Sequence, residues 1–151
     1  PRLPVSVADN SLVVAGRNEK VKKKLEMIET PSQHSSTVLG FTKEIDELMR
    51  LADVVVTKPG GLTTSEVLAS GALMLIFNPT PGQEAHNSDI LLENGAAVKV
   101  NNLAVLTWKL TTLLNDPERL RQLKANAKNM GRPQAATTIL RHALSMIQVT
   151  V

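Results

Sequence analysis

Two carboxylates, Glu66 and Glu84, each follow a glycine-containing turn. The turns are Lys58-Pro59-Gly60-Gly61-Leu62-Thr63-Thr64-Ser65-Glu66 and Asn78-Pro79-Thr80-Pro81-Gly82-Gln83-Glu84-Ala85-His86-Asn87. Gly60 and Gly61 lack a Cβ, so backbone amides there can approach a ligand closely. A helix opening directly after them aims its positive end at the same spot, which favours phosphate oxygens. A carboxylate is repelled by phosphate but accepts hydrogen bonds from two vicinal hydroxyls, the pair that a ribose offers. Glu66, about one turn inside that helix, is placed for this role. The second turn adds two carboxamides, Gln83 and Asn87, beside Glu84. Together the groups suit a phosphorylated sugar nucleotide.

Each feature also has a purely structural explanation. Thr63-x-x-Glu66 has the form of a capping box, with Thr63 capping the helix and Glu66 returning to the backbone. The second turn, stiffened by Pro79 and Pro81, could be a rigid loop that leaves Asn87 on a solvated face. Three polar side chains at one helix entrance exceed what capping requires. No Ser-His-Asp arrangement, Walker phosphate loop or Gly-x-Gly-x-x-Gly fingerprint occurs.

The elements that position these turns follow from hydrophobic patterning. Short runs that are apolar without clean alternation predict strands at Ser11–Ala15, Ser36–Gly40, Asp53–Thr57, Leu73–Phe77 and Ala97–Val100. Between them lie predicted helices Asn18–Glu29, Lys43–Ala52, Thr63–Ser70 and Ala85–Asn94. Strand–helix alternation implies an α/β fold, a doubly wound, mostly parallel Rossmann-like sheet with helices on both faces. Both turns then lie at the carboxyl edge of the sheet, where such folds bind ligands. After Val100 the pattern is helical. Leu103–Leu114 carries an apolar face of Leu103, Leu106, Leu110, Leu113 and Leu114. Pro117–Met130 opens with an aspartate cap and ends at Gly131, read as a C-terminal stop. Pro133–Ile147 carries a stripe of Ala136, Ile139, Leu140, Ala143, Leu144 and Ile147.

The 151 residues suffice for one domain, and 42% hydrophobic with 21% charged content is that of an ordinary globular protein. The absence of cysteine removes disulfide and thiolate chemistry. The three histidines have no metal-like spacing, so no metal site is expected. No apolar run reaches the roughly 20 residues that span a bilayer. The expected location is the cytoplasm, free or peripheral at the membrane. Much of the +3 net charge lies in Lys20-Val21-Lys22-Lys23-Lys24. That run is either a solvated helix face or an attachment to an anionic membrane surface. Two Phe, one Trp and no Tyr leave few stacking platforms, so no nucleic-acid partner is expected.

These residues, in this order, resemble the C-terminal donor-binding half of glycosyltransferase family 28. The match runs from Val13-Val14-Ala15-Gly16-Arg17-Asn18 through Val38-Leu39-Gly40-Phe41, Asp53–Gly71 and Gly82-Gln83-Glu84 to Asn94-Gly95-Ala96-Ala97. The Lys-Pro-Gly-Gly and Pro-Gly-Gln-Glu forms resemble the monogalactosyldiacylglycerol synthases and processive diacylglycerol glucosyltransferases most. The resemblance implies a two-domain GT-B fold with a UDP-sugar in the interdomain cleft. It implies the loop at Gly40 and Phe41 against the uracil, and Gly61, Leu62 and Thr63 at the diphosphate. Glu66 would hold the ribose hydroxyls, and Gln83 and Glu84 would face the donor sugar, with Asn87 nearby. It further implies an inverting hexosyl transfer to a membrane lipid such as diacylglycerol, with no cofactor.

The chain departs from the family in having no glycine before Ser11, where a strand and a glycine-rich loop are expected. Leu3–Val7 is predicted to substitute for that strand. Residues 1–151 therefore read as a donor-binding domain truncated at its N-terminus, without the acceptor-binding domain and with no catalytic residue of its own. As an isolated piece it is expected to be inactive. Other readings of the same residues are a stand-alone UDP-sugar binding subunit with a separate acceptor-binding partner, a UDP-sugar epimerase, and a non-enzymatic α/β domain.

Overall fold

The protein is described here by a computed structural model covering residues 10–32 and 34–148. Strands and helices alternate as β1 (Asn10–Val14), α1 (Glu19–Glu26), β2 (Ser35–Leu39), α2 (Ile45–Leu51), β3 (Val54–Thr57), α3 (Gly61–Ser70), β4 (Leu73–Phe77), α4 (Gln83–Glu93) and β5 (Ala97–Val100). Three further helices follow: α5 (Leu103–Leu114), α6 (Pro117–Met130) and α7 (Ala135–Gln148). Every strand pairing is parallel, as expected for strands joined by helical crossovers.

The described strands form two sheets, β1-β2 and β3-β4-β5. No described strand bridges β1 and β3. The Leu3–Val7 segment predicted for that place lies outside the described residues.

β4 is the centre of the core because it is apolar at every position and covered on both faces. Leu73, Met74, Leu75 and Ile76 are buried. Met74 and Ile76 pack with Met49 of α2, Val67 of α3, Leu91 of α4 and Ala127 of α6. Leu73 and Leu75 pack with Val100 and Leu113, against which Val105, Leu106 and Leu110 of α5 and Leu120 and Leu123 of α6 are laid.

Local signals account for several helix starts. Asn18 accepts from the Val21 amide, Asn102 from the Val105 amide and Asp116 from the Arg119 amide, each at about the ideal distance for a cap. Gly131 follows α6 as predicted, but its backbone is extended rather than left-handed. Its small size matters instead: a Cβ there would collide with the Leu68 carbonyl of α3.

Two predicted apolar faces differ from the structure. Leu103, at the first position of α5, is 71% exposed. The α7 stripe forms on a helix as predicted, yet Ile139, Leu140, Leu144 and Ile147 are all exposed. Among the described residues no helix is long and apolar enough to cross a membrane.

Candidate functional site

The carboxyl ends of β3 and β4 deliver the two turns side by side. Pro59 is fully buried and anchors the first. The Asn87 Nδ2 group of α4 donates to the Pro59 carbonyl at 2.8 Å, tying the second helix to the first turn. Gln83 closes the gap from the same helix. Its Nε2 lies 3.5 Å from where a Cβ on Gly61 would sit.

α3 starts at Gly61 with Gly60 as its cap residue, two positions earlier than predicted. Thr63 therefore lies inside the first turn and cannot be the N-cap of a capping box. No side chain caps this helix. The Thr64 amide bonds to the Gly60 carbonyl at 2.8 Å. Among the described residues the amides of Gly61, Leu62 and Thr63 have no hydrogen-bond partner. A Cβ on Gly60 would meet nothing within 4 Å, so the space over this turn is open. Glu66 is exposed on α3 and is free of ion pairs among the described residues.

α4 also lacks a side-chain cap, but it carries Glu84 in its first turn, whereas α3 has no acidic residue there. The distinction sorts the two helix entrances. The start of α4 already has its anion, while the start of α3 does not. The Thr80 amide donates to Glu84 Oε2 at 2.7 Å, and Lys58 Nζ donates to Thr80 Oγ1 at 3.1 Å. The Thr80 backbone N–H, then its hydroxyl, and then the Lys58 charge hold the Glu84 carboxyl below its ordinary range. Gly82, before α4, has φ +101 and ψ −129, a conformation that favours glycine.

A second pair of turns lies beyond β1 and β2. A Cβ on Gly40 would sit 3.7 Å from the Gly16 carbonyl, so these turns also adjoin. Phe41 is 58% exposed, with the Arg17 guanidinium 4.8 Å from its ring centroid. One face of the ring is thus covered by a cation–π contact. α2 packs on α3 and links this region to the first.

The structure thus brings Gly60, Gly61, Leu62, Thr63, Gln83, Glu84 and Asn87 to one place, with Glu66 further along α3. Gly40 and Phe41 belong to the neighbouring pair of turns. Sequence reading missed Lys58 and Thr80 as contributors. Their bond spans 22 residues, and the available signal was a lysine and a threonine at equivalent places after two strands.

The model for the family described as "Glycosyl transferases group 1" matches residues 1–130. A relative from Bacillus subtilis (strain 168), the "Processive diacylglycerol beta-glucosyltransferase", is 35% identical over 133 residues. The match takes in 88% of this chain and 35% of that protein. The chain thus spans about a third of the length of the curated relatives it matches. Among solved structures, Acinetobacter baumannii MurG superposes with a TM-score of 0.73 at 21% identity, over 96% of this chain and 42% of that one. A Streptomyces sp. SF2575 glycosyltransferase, SsfS6, complexed with thymidine diphosphate, has a TM-score of 0.53 at 17% identity, over 93% of this chain and 44% of that one. These likenesses show the α/β fold.

Proposed function

The chain belongs to the group 1 glycosyl transferases, and from that premise we propose that it is the donor-binding part of an inverting, UDP-sugar-dependent hexosyltransferase acting on a membrane lipid such as diacylglycerol. The observation that carries the reading is the asymmetry of the two helix entrances. Among the described residues the start of α3 offers three unpaired amides and no acid in its first turn, and the start of α4 beside it offers a carboxylate and two carboxamides. A diphosphate fits the first and sugar hydroxyls fit the second. The lipid acceptor is taken from the name of the Bacillus relatives, and a nucleoside diphosphate is supported by the ligand of SsfS6.

In this reading the diphosphate lies over Gly60, Gly61, Leu62 and Thr63, with Glu66 accepting from both ribose hydroxyls. Gly40 and the free face of Phe41 meet the uracil. Gln83 and the unused oxygen of Glu84 read the hexose, while Asn87 holds the two turns in register. Transfer breaks the bond from the anomeric carbon to the UDP oxygen and forms one to the acceptor oxygen from the opposite face. The acceptor proton passes to a base outside the residues described. The amides at α3 receive the charge that accumulates on the departing UDP, as preorganised donors do in other sites, so no cofactor is invoked. Lys20, Lys23 and Lys24 are exposed on α1 and would attract an anionic membrane from the cytoplasmic side.

Calorimetric titration with UDP, UDP-Glc, UDP-Gal and UDP-GlcNAc tests the reading and ranks the sugars. Glu66→Gln should weaken UDP by about 1–3 kcal/mol, the scale of a hydrogen bond to a charged group, without lowering the melting temperature. A wild-type chain that binds none of these ligands would reject the proposal.

A further inference from the structure

Two buried hydroxyls on α3 and α4 have no role in the donor site. Ser88, on α4, is fully buried and is the sole buried polar residue among the described ones. Its Oγ and the Oγ1 of Thr64, on α3, are shielded from solvent and have no hydrogen-bond partner among the described residues. Other helix hydroxyls behave differently. Those of Ser65, Ser70, Thr107 and Thr112 donate to a carbonyl of their own helix at 2.8 to 3.1 Å. A buried hydroxyl left unpaired is costly, so each one calls for an explanation.

Register places the two hydroxyls opposite each other. α3 and α4 run the same way, because they follow the parallel strands β3 and β4. Towards the helix entrances, Gln83 of α4 adjoins Gly61 of α3, and Asn87 donates to the Pro59 carbonyl. Towards the core, Val67 of α3 and Leu91 of α4 share one buried cluster. Thr64 lies three residues from both Gly61 and Val67, and Ser88 lies three before Leu91. Each hydroxyl therefore stands on the face that its helix turns to the other. The two do not bond to each other. A small group that both donates and accepts, placed between them, satisfies both. Water is such a group, and buried waters typically join about three polar groups that lack other partners. A helix carbonyl one turn back, with its second lone pair, supplies the remaining acceptor.

We propose that Thr64 and Ser88 hold one buried water between α3 and α4, and that this bridge sets the spacing of the two helix entrances. The spacing role rests on the donor-site reading above. There one ligand reaches both entrances, with its diphosphate at α3 and its hexose at Gln83 and Glu84 of α4. Thr64 and Ser88 are then positioning residues, since neither touches the ligand.

The test uses the full chain as wild type, Thr64→Val, Thr64→Ser and Ser88→Ala, and Ser88→Ala combined with each Thr64 substitution. In thermal melts Thr64→Val and Ser88→Ala should each lower the midpoint by about 2–4 °C, the shift that one net hydrogen bond gives in a chain of this size. In the Thr64→Val background the bridge is already lost. Ser88→Ala should there raise the midpoint, because alanine is the better helix residue. In the Thr64→Ser background, which keeps the hydroxyl, Ser88→Ala should still lower it. The same effect of Ser88→Ala in the wild-type and Thr64→Val backgrounds would overturn the bridge. Each variant is also titrated with UDP and with the UDP-hexose that the wild type binds best. Thr64→Val should weaken the UDP-hexose several-fold more than UDP, which needs no contact on α4. Equal losses for the two ligands would overturn the spacing role. If the wild-type chain binds neither, the donor-site reading falls, while the melts still decide on the bridge.

Discussion

Glu66 and Glu84 are chemically identical, but their surroundings differ. Glu66 stands exposed on α3 and is unpaired among the described residues, whereas Glu84 accepts from the Thr80 amide and has Lys58 nearby. The contrast makes a pH prediction possible. The folded-state value of Glu84 lies below its ordinary one. Its contribution to stability is therefore complete above the ordinary carboxylate range and is lost as pH falls through the depressed folded value. Glu84→Gln should flatten that part of the acid-unfolding profile and leave stability near neutral pH less dependent on acid. A profile identical to that of the wild type would show that the Thr80 bond does not contribute in solution. At this scale the chain was readable for residue type but not for partnership. The carboxylates, glycines and carboxamides follow from the sequence. The bonds from Asn87 to Pro59 and from Lys58 to Thr80 cross 28 and 22 residues, a separation that no local pattern encodes. The capping-box reading of Thr63 failed because α3 begins at Gly61, a residue that helix propensity alone discourages at a helix start.

Elements were legible where their hydrophobic pattern had only one solution. β4 and β5 fall on the predicted residues, and so do α5 and α6. Burial was less readable. Periodicity marks a face that wants a partner but does not say whether one is in reach, as the exposed α7 stripe shows. The same contrast gives an energetic test. Leu75→Ala removes a side chain buried on a strand covered from both sides, and should cost about 2–5 kcal/mol. Leu140→Gln and Leu144→Gln on α7 should each change stability by less than about 0.5 kcal/mol, as surface substitutions do. Chemical denaturation of the three variants measures both. A loss at Leu140 or Leu144 comparable to that at Leu75 would mean that α7 is packed in solution. Gly131 shows why a correct residue can be read for the wrong reason. It was expected as a helix stop, and the structure uses it to let the end of α6 approach the α3 backbone.

At the scale of the molecule, the alternation of strands and helices was sufficient to foresee the α/β class and the edge where the turns meet. The described strands divide between β1 and β3, the place for which Leu3–Val7 was expected, and that segment lies outside the described residues. Burial is uneven among the described residues, and this has a kinetic consequence. Among the described residues none of β1, α1 or β2 belongs to either buried cluster, while β4 contributes to both. Regions with few buried contacts open at low free-energy cost, and well-packed strands open only with the whole domain. In the proposed reading the base lies on the Gly40–Phe41 side and the diphosphate on α3, so one small molecule straddles a loosely held part and a firmly held one. Its binding would act as a tie between them. Amide hydrogen exchange in β2 should slow markedly when UDP is added, while the β4 amides, already limited by global opening, should gain far less. Equal protection in both strands before UDP is added would show that they already open together. The nucleotide would then be a guest in the fold and not one of its fasteners.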